Sequence, residues 1–162
     1  MEKAIFAAGC FWGVQYYFDQ VPGVTKTTVG YTGGHLENPT YDEVVTHTTG
    51  HAEAVEVEFD PQKVSYEVLC MQFFRMHDPT QLNRQGPDVG DNYRSAIFYL
   101  NDAQKEQAER CKQAAQGKFK EPVVTEITQA TVFYPAEDYH QKFTEKTGRG
   151  MCHVAYAPVE TP

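Results

Sequence analysis

The chain contains no apolar run approaching the roughly 20 residues that a membrane-crossing helix needs, no Cys-x-x-Cys pair, no Gly-x-Gly-x-x-Gly turn and no phosphate-loop motif. These absences remove the sequence marks of a membrane span, a zinc cluster of common spacing, a dinucleotide site and a nucleoside-triphosphate site. No repeat, low-complexity tract or linker interrupts the 162 residues. A single domain over 1–162 is expected, with a core large enough to stand without disulfides or metals. Blocks of like charge are also missing. The formal net charge is −8, from 14 Lys plus Arg against 22 Asp plus Glu, and it is dispersed. That balance argues against nucleic acid or an anionic membrane as a partner. Met1-Glu2-Lys3 leads into only a few apolar residues, unlike a secretory signal, so a cytoplasmic location is expected.

Four cysteines are present, Cys10, Cys70, Cys111 and Cys152, all far apart. Permanent disulfides are not expected in a reducing compartment, which leaves packing, catalysis or redox exchange. Cys10 stands out. It lies in Ala7-Ala8-Gly9-Cys10-Phe11-Trp12-Gly13, where a short apolar strand gives way to an amphipathic helix. The first N–H groups of a helix have no backbone partner and carry the positive end of its dipole, so they favour a thiolate. A free thiol titrates near about 8.5, and such a setting lowers that value. The flanking glycines let backbone or ligand approach the sulfur, and Phe11 and Trp12 offer apolar walls. The alternative is a small packing cysteine among aromatic neighbours.

Strands are expected at 3–8, 24–31, 52–59, 93–100 and 123–128, and helices at 12–20, 41–45, 65–77 and 102–116, with a further helix starting near Pro135. Asn101 suits the N-cap of the helix at 102–116. Residues 78–92 form a long polar loop with Gly and Pro, of the kind that more often carries function than idles. The order suits an α+β, ferredoxin-like βαββαβ two-layer sandwich with appended helices and a long irregular tail from about Gly148.

In the strand at 52–59, alternation puts Val55, Val57 and Phe59 on the core face, and Glu53 shares their parity. Burial disfavours the charged form of a carboxyl group, so an acid placed there is suited to donating a proton. The alternative is a frayed strand end with Glu53 in solvent. Tyr41, and Tyr93 at the end of the loop that carries Asp88, offer hydroxyls that could orient an oxygen-bearing ligand in an aromatic pocket.

Gly9-Cys10-Phe11-Trp12-Gly13 resembles the signature of the methionine sulfoxide reductase A family. Further segments resemble family motifs in the family's order: Gly30-Tyr31-Thr32-Gly33-Gly34, Asn38-Pro39-Thr40-Tyr41, Thr49-Gly50-His51-Ala52-Glu53-Ala54-Val55, His77-Asp78-Pro79, Tyr93-Arg94-Ser95-Ala96 and Ala136-Glu137-Asp138-Tyr139-His140-Gln141. The resemblance implies reduction of the S epimer of methionine sulfoxide, free or in proteins, with electrons from thioredoxin and no metal or organic cofactor. It implies Cys10 as nucleophile, Glu53 as proton donor, Phe11 and Trp12 around the methyl group, and Tyr41, Asp88 and Tyr93 as substrate-binding residues. A monomer is expected.

The chemistry fits these residue types. A sulfoxide sulfur is electrophilic but its oxygen leaves poorly, so thiolate attack must be joined to proton donation. The product is a cysteine sulfenic acid, which condenses with a second thiol. Cys70 reads as core beside Tyr66, Phe73 and Phe74, and Cys111 as half-exposed on a helix with no path to Cys10. By exclusion Cys152, in the glycine-punctuated tail, is the resolving thiol, in agreement with the resemblance. Gly148-Arg149-Gly150-Met151-Cys152-His153 departs from the family's Tyr-Cys dipeptide, and no cysteine follows, so a single Cys10–Cys152 disulfide is expected. Three rivals remain. A thiol peroxidase would want threonine and proline shortly before the cysteine, and residues 5–9 supply neither. A cysteine hydrolase would need a histidine base such as His51 or His140. A methionine-binding module would bind without turnover.

Overall fold

The computed structural model describes residues 1–147, in which a six-stranded sheet carries three long helices on one face. The strands are β1 (Glu2–Ala8), β2 (Val24–Thr32), β3 (Ala52–Phe59), β4 (Arg84–Gln85), β5 (Asp88–Val89), β6 (Ser95–Tyr99), β7 (Glu126–Gln129) and β8 (Tyr134–Pro135). The helices are α1 (Phe11–Asp19), α2 (Tyr41–Val44), α3 (Tyr66–Arg75), α4 (Asp102–Gln116) and α5 (Phe143–Thr147). The sheet order is β7-β6-β1-β3-β2-β8, while β4 and β5 form a separate small hairpin. β1 lies antiparallel to both β3 and β6, and β2 antiparallel to β3. Within this sheet, β6-β1-β3-β2 has the order and sense that a βαββαβ chain produces. β7 extends it by pairing parallel to β6 after α4, a connection too long for a hairpin.

Local chemistry explains most boundaries. Ser65 accepts from the Val68 N–H and starts α3, and Asn101 accepts from the Gln104 N–H and starts α4, as expected. Thr40 and Glu43 form a reciprocal capping box that gives the four-residue α2 a defined start. The main core lies between the helices and the sheet. Phe6 of β1 stacks on Phe18 of α1 at 5.2 Å and on Phe73 of α3 at 5.4 Å, each pair adding about 0.5–1.5 kcal/mol beyond burial. The opposite sheet face is lined by Ile5, Ala7, Ala52, Ala54, Ala96 and Phe98, with Ala130 and Phe133 packed on it. Gly30 is required there. A Cβ would sit 2.4 Å from the Tyr134 carbonyl oxygen as β8 crosses.

Two expectations are corrected. Pro135 starts no helix but ends β8, which pairs with Gly30 and Tyr31 at the sheet edge, where a residue without an N–H is tolerated. The helical stretch beyond it is a 3-10 turn at Asp138–His140 followed by α5. Cys111 is not half-exposed but 8% exposed, because Ala108, Cys111 and Ala115 form the buried stripe of α4. The loop at 78–92 holds the β4–β5 hairpin and runs into a 3-10 turn at Asp91–Tyr93. Among the described residues, no helix is long and apolar enough to cross a membrane. Cys152 and the tail from Gly148 lie outside the described residues.

Candidate active site

Gly9, at φ +94°, turns the chain out of β1, and Cys10 becomes the N-cap of α1. Its side chain caps no backbone N–H and is 7% exposed, so the sulfur sits at the positive end of a nine-residue helix, largely out of water. Glu53, opposite Tyr31 in the β2–β3 register, is 1% exposed. The inward parity of β3 therefore carries through to the strand's start. The Phe11 N–H donates to Glu53 Oε1 at 3.3 Å, and Asn92 Nδ2 donates to Oε2 at 3.3 Å. The carboxyl group is thus held against the turn that carries Cys10, with each oxygen given a donor.

Two half-buried phenols complete this polar cluster. Tyr41 and Tyr93 lie close enough to act on each other's ionisation, and both feel the charges of Glu53 and Cys10. Burial, then Glu53 and Cys10, pushes Tyr41 up to about 12. Burial, then Glu53, Tyr41, Asp88 and Cys10, drives Tyr93 higher still. Both remain protonated near neutral pH and can donate to an oxygen. Asp88, at the start of β5, is near enough for its charge to act on Tyr93, and its Oδ2 is buried with no hydrogen-bond partner.

The apolar wall is built on Trp12. Its ring stacks on Phe143 of α5 at 4.0 Å and 17°, faces Tyr41 at 6.5 Å, and donates from Nε1 to His140 Nδ1 at 2.9 Å. Phe11 is fully buried between Tyr31 and His140, at 5.7 and 5.3 Å, whereas Trp12 stays partly exposed. Of the two aromatics after the cysteine, Trp12 is the more exposed.

Glu137 ties these parts together. It accepts the Tyr31 hydroxyl at 2.8 Å and the Tyr41 N–H at 3.1 Å, which anchors α2 to the segment after β8. Burial pushes its carboxyl up, but hydrogen bonds from its own and the Tyr41 backbone N–H and from Tyr31 outweigh that, and it is held low. Burial also holds His140 below its ordinary value, with Glu137 opposing. Both groups bind a proton less readily folded than unfolded. Their stabilisation is therefore full above the ordinary values, about 6.5 for histidine and about 4.3 for glutamate, and is lost as pH falls through and below them. The melting temperature should begin to fall below about pH 6.5, and His140→Gln should remove that upper part of the decline. A wild-type melting temperature unchanged between about pH 7 and pH 5 would contradict the burial of a neutral His140.

The structure gathers Cys10, Phe11, Trp12, Tyr41, Glu53, Asp88 and Tyr93 around the start of α1 and the loop before β6, while Cys152 falls outside the described residues. Asn92, Glu137 and Phe143 also shape the site, and sequence reasoning gives none of them a role. Glu137 and His140 lie in one of the family-like motifs, but nothing local in it reveals their partners. His51 is not a catalytic base. Its Nδ1 accepts the Gly34 N–H at 3.0 Å and its Nε2 donates to the Leu36 carbonyl at 2.7 Å, so both ring nitrogens serve the backbone. Among the described residues, no three of His, Cys, Asp and Glu cluster as metal ligands would.

A cysteine at a helix N-cap position, next to the residue that holds a buried carboxyl group, beside an aromatic wall and on an α+β sheet, defines a thiol-bearing protein. The family model described as peptide methionine sulfoxide reductase matches residues 2–161, and the chain belongs to that family. A relative from Methanosarcina acetivorans, named peptide methionine sulfoxide reductase MsrA, is 58% identical over 150 residues, which are 91% of this chain and 80% of that protein. Among solved structures, the reduced form of Mxr1 from Saccharomyces cerevisiae superposes with a TM-score of 0.86 at 33% identity, covering 92% of this chain and 87% of that one. Methionine sulfoxide reductase A of Corynebacterium diphtheriae gives 0.82 at 38% identity, over 98% and 83%. Mxr1 in complex with Trx2 gives 0.63 at 25% identity, over 88% and 84%.

Proposed function

We infer that the chain reduces the S epimer of methionine sulfoxide to methionine, using Cys10 as nucleophile and Glu53 as proton donor. The observation that carries this reading is the hydrogen bond from the Phe11 N–H to Glu53 Oε1, which holds a buried carboxyl group against the residue that follows the thiol. The Cys10 thiolate attacks the sulfoxide sulfur while Glu53 delivers a proton to its oxygen. An S–S bond forms as the sulfur–oxygen bond breaks; the released hydroxide then bonds to the Cys10 sulfur while the S–S bond breaks, so methionine leaves with that electron pair and Cys10 carries the oxygen as a sulfenic acid. Tyr41 and Tyr93 donate to the sulfoxide oxygen, Asp88 accepts from the substrate, and Trp12 packs on the methyl group.

Cys152 then attacks the Cys10 sulfenic acid, releasing water and forming a disulfide. Thioredoxin supplies two electrons and two protons to restore both thiols, a partner supported by the complex of the yeast relative with Trx2. A cytoplasmic monomer over 1–162 as one domain belongs to the same reading. Cys152→Ser should release one methionine per protein and then stall with thioredoxin as the only reductant. Continued thioredoxin-dependent turnover by that variant would remove Cys152 from the cycle.

A peroxidase reading is weaker, because residues 5–9 ahead of Cys10 supply neither the threonine nor the proline that such an enzyme would want. An epimer-resolved assay separates the classes. Consumption of the S epimer with release of methionine supports the reductase, whereas binding of both epimers without release would support a methionine-binding module.

A further inference from the structure

Two buried thiols take no part in this chemistry. Cys70 on α3 is fully buried, and Cys111 on α4 faces it where the two helices pack. The Cys111 Sγ points to the Glu67 carbonyl oxygen of α3 at 3.8 Å, which brings this sulfur to the turn of α3 that carries Cys70, and the two thiols act on each other's ionisation. Cys111, but not Cys70, lines a groove of about 1000 Å³ between these helices. Met71 and Phe119 give the groove apolar walls, and its charged lining mixes Arg75, Arg110 and Lys118 with Glu67 and Asp78. None of Cys10, Tyr41, Glu53 and Tyr93 lines it.

We propose that Cys70 and Cys111 are a second dithiol–disulfide pair, opened to a low-molecular-weight disulfide through the α3–α4 groove, with Cys111 as the attacking sulfur. The neighbouring Cys70 thiol favours a Cys111 thiolate against the effect of burial, and Arg110 adds to that, while burial pushes Cys70 up. Reactivity is therefore placed on the sulfur that the groove reaches. Cys111 attacks one sulfur of the reagent, its S–S bond breaks, and the first thiol leaves with a proton. Cys70 then attacks the Cys111 sulfur of the mixed disulfide, its proton passing to the second departing thiol. Two protein thiols are oxidised to one disulfide, and one small disulfide is reduced to two thiols. Bridging requires a sulfur–sulfur bond of about 2.05 Å between two helices that already pack with the Cys111 sulfur against the turn that holds Cys70.

The test uses the full chain carrying Cys10→Ser and Cys152→Ser, exposed to oxidised glutathione, alkylated and mapped by mass spectrometry. The expected product has lost two hydrogens, resists alkylation at both positions, and yields a cross-linked pair of peptides containing residues 70 and 111. Adding Cys70→Ala should stop the reaction at one glutathione on Cys111, and adding Cys111→Ala should leave Cys70 unmodified. The same cross-linked peptides are expected from the wild-type chain, which keeps the result independent of how the variants fold. Both thiols remaining alkylatable in the wild type, glutathione persisting on Cys111 with Cys70 present, or modification of Cys70 in the absence of Cys111 would each overturn the proposal. Methionine sulfoxide turnover by Cys111→Ala should match wild type, so failure of this pair is distinguishable from failure of the reductase reading.

Discussion

Cys10→Ser should lose methionine sulfoxide reduction entirely, a fall on the order of 10⁵-fold or more, the scale reached when a covalent nucleophile is removed. A serine hydroxyl at the same N-cap is not ionised near neutral pH and cannot form the sulfenic acid on which the second half of the cycle depends. Stability should not fall with it. Serine is a preferred N-cap residue, and Cys10 makes no capping hydrogen bond that the substitution would break. Thermal melts beside the activity assay check both halves. Residual turnover within about tenfold of wild type would assign the nucleophile elsewhere.

Glu53→Gln should lower kcat by about 10²- to 10⁴-fold, the usual contribution of a positioned general acid, with little change in substrate affinity. The amide keeps the carbonyl oxygen that accepts from the Phe11 N–H, so the loss is of the proton and not of the fold. The new NH2 group would face Asn92 Nδ2, but Asn92 Oδ1 is buried without a partner, and a half-turn of that amide brings it round to accept. Cys10 should still be alkylated by iodoacetamide in this variant. A variant that turns over at the wild-type rate would remove Glu53 from proton donation.

Much of this site is legible in sequence because its two principal groups are placed by local rules. The alternation of Val55, Val57 and Phe59 dictates the inward face of β3, and Glu53 inherits it from position alone. Cys10 follows a glycine that ends a strand and precedes an amphipathic run, the local pattern that marks an N-cap. The parts that stay hidden depend on contacts between distant segments. Trp12 meets His140 across 128 positions, and Glu137 meets Tyr41 across 96. No periodicity encodes either. The burial of Cys111 is hidden for the same reason, since a helix rich in Lys and Gln reveals a narrow Ala-Cys-Ala stripe only when another helix covers it. Pro135 misleads because proline serves equally well at the first turn of a helix and on a sheet edge, and only the pairing of β8 with β2 decides between them.

The most direct measurement is a single turnover of the Cys152→Ser chain with one equivalent of the S epimer, followed by trapping of sulfenic acid with a dimedone probe and peptide mapping. The expected result is one methionine released per protein and one trapped sulfenic acid, located on Cys10. Methionine formed with the label on another residue, or with no sulfenic acid at all, would contradict oxygen transfer to that thiol.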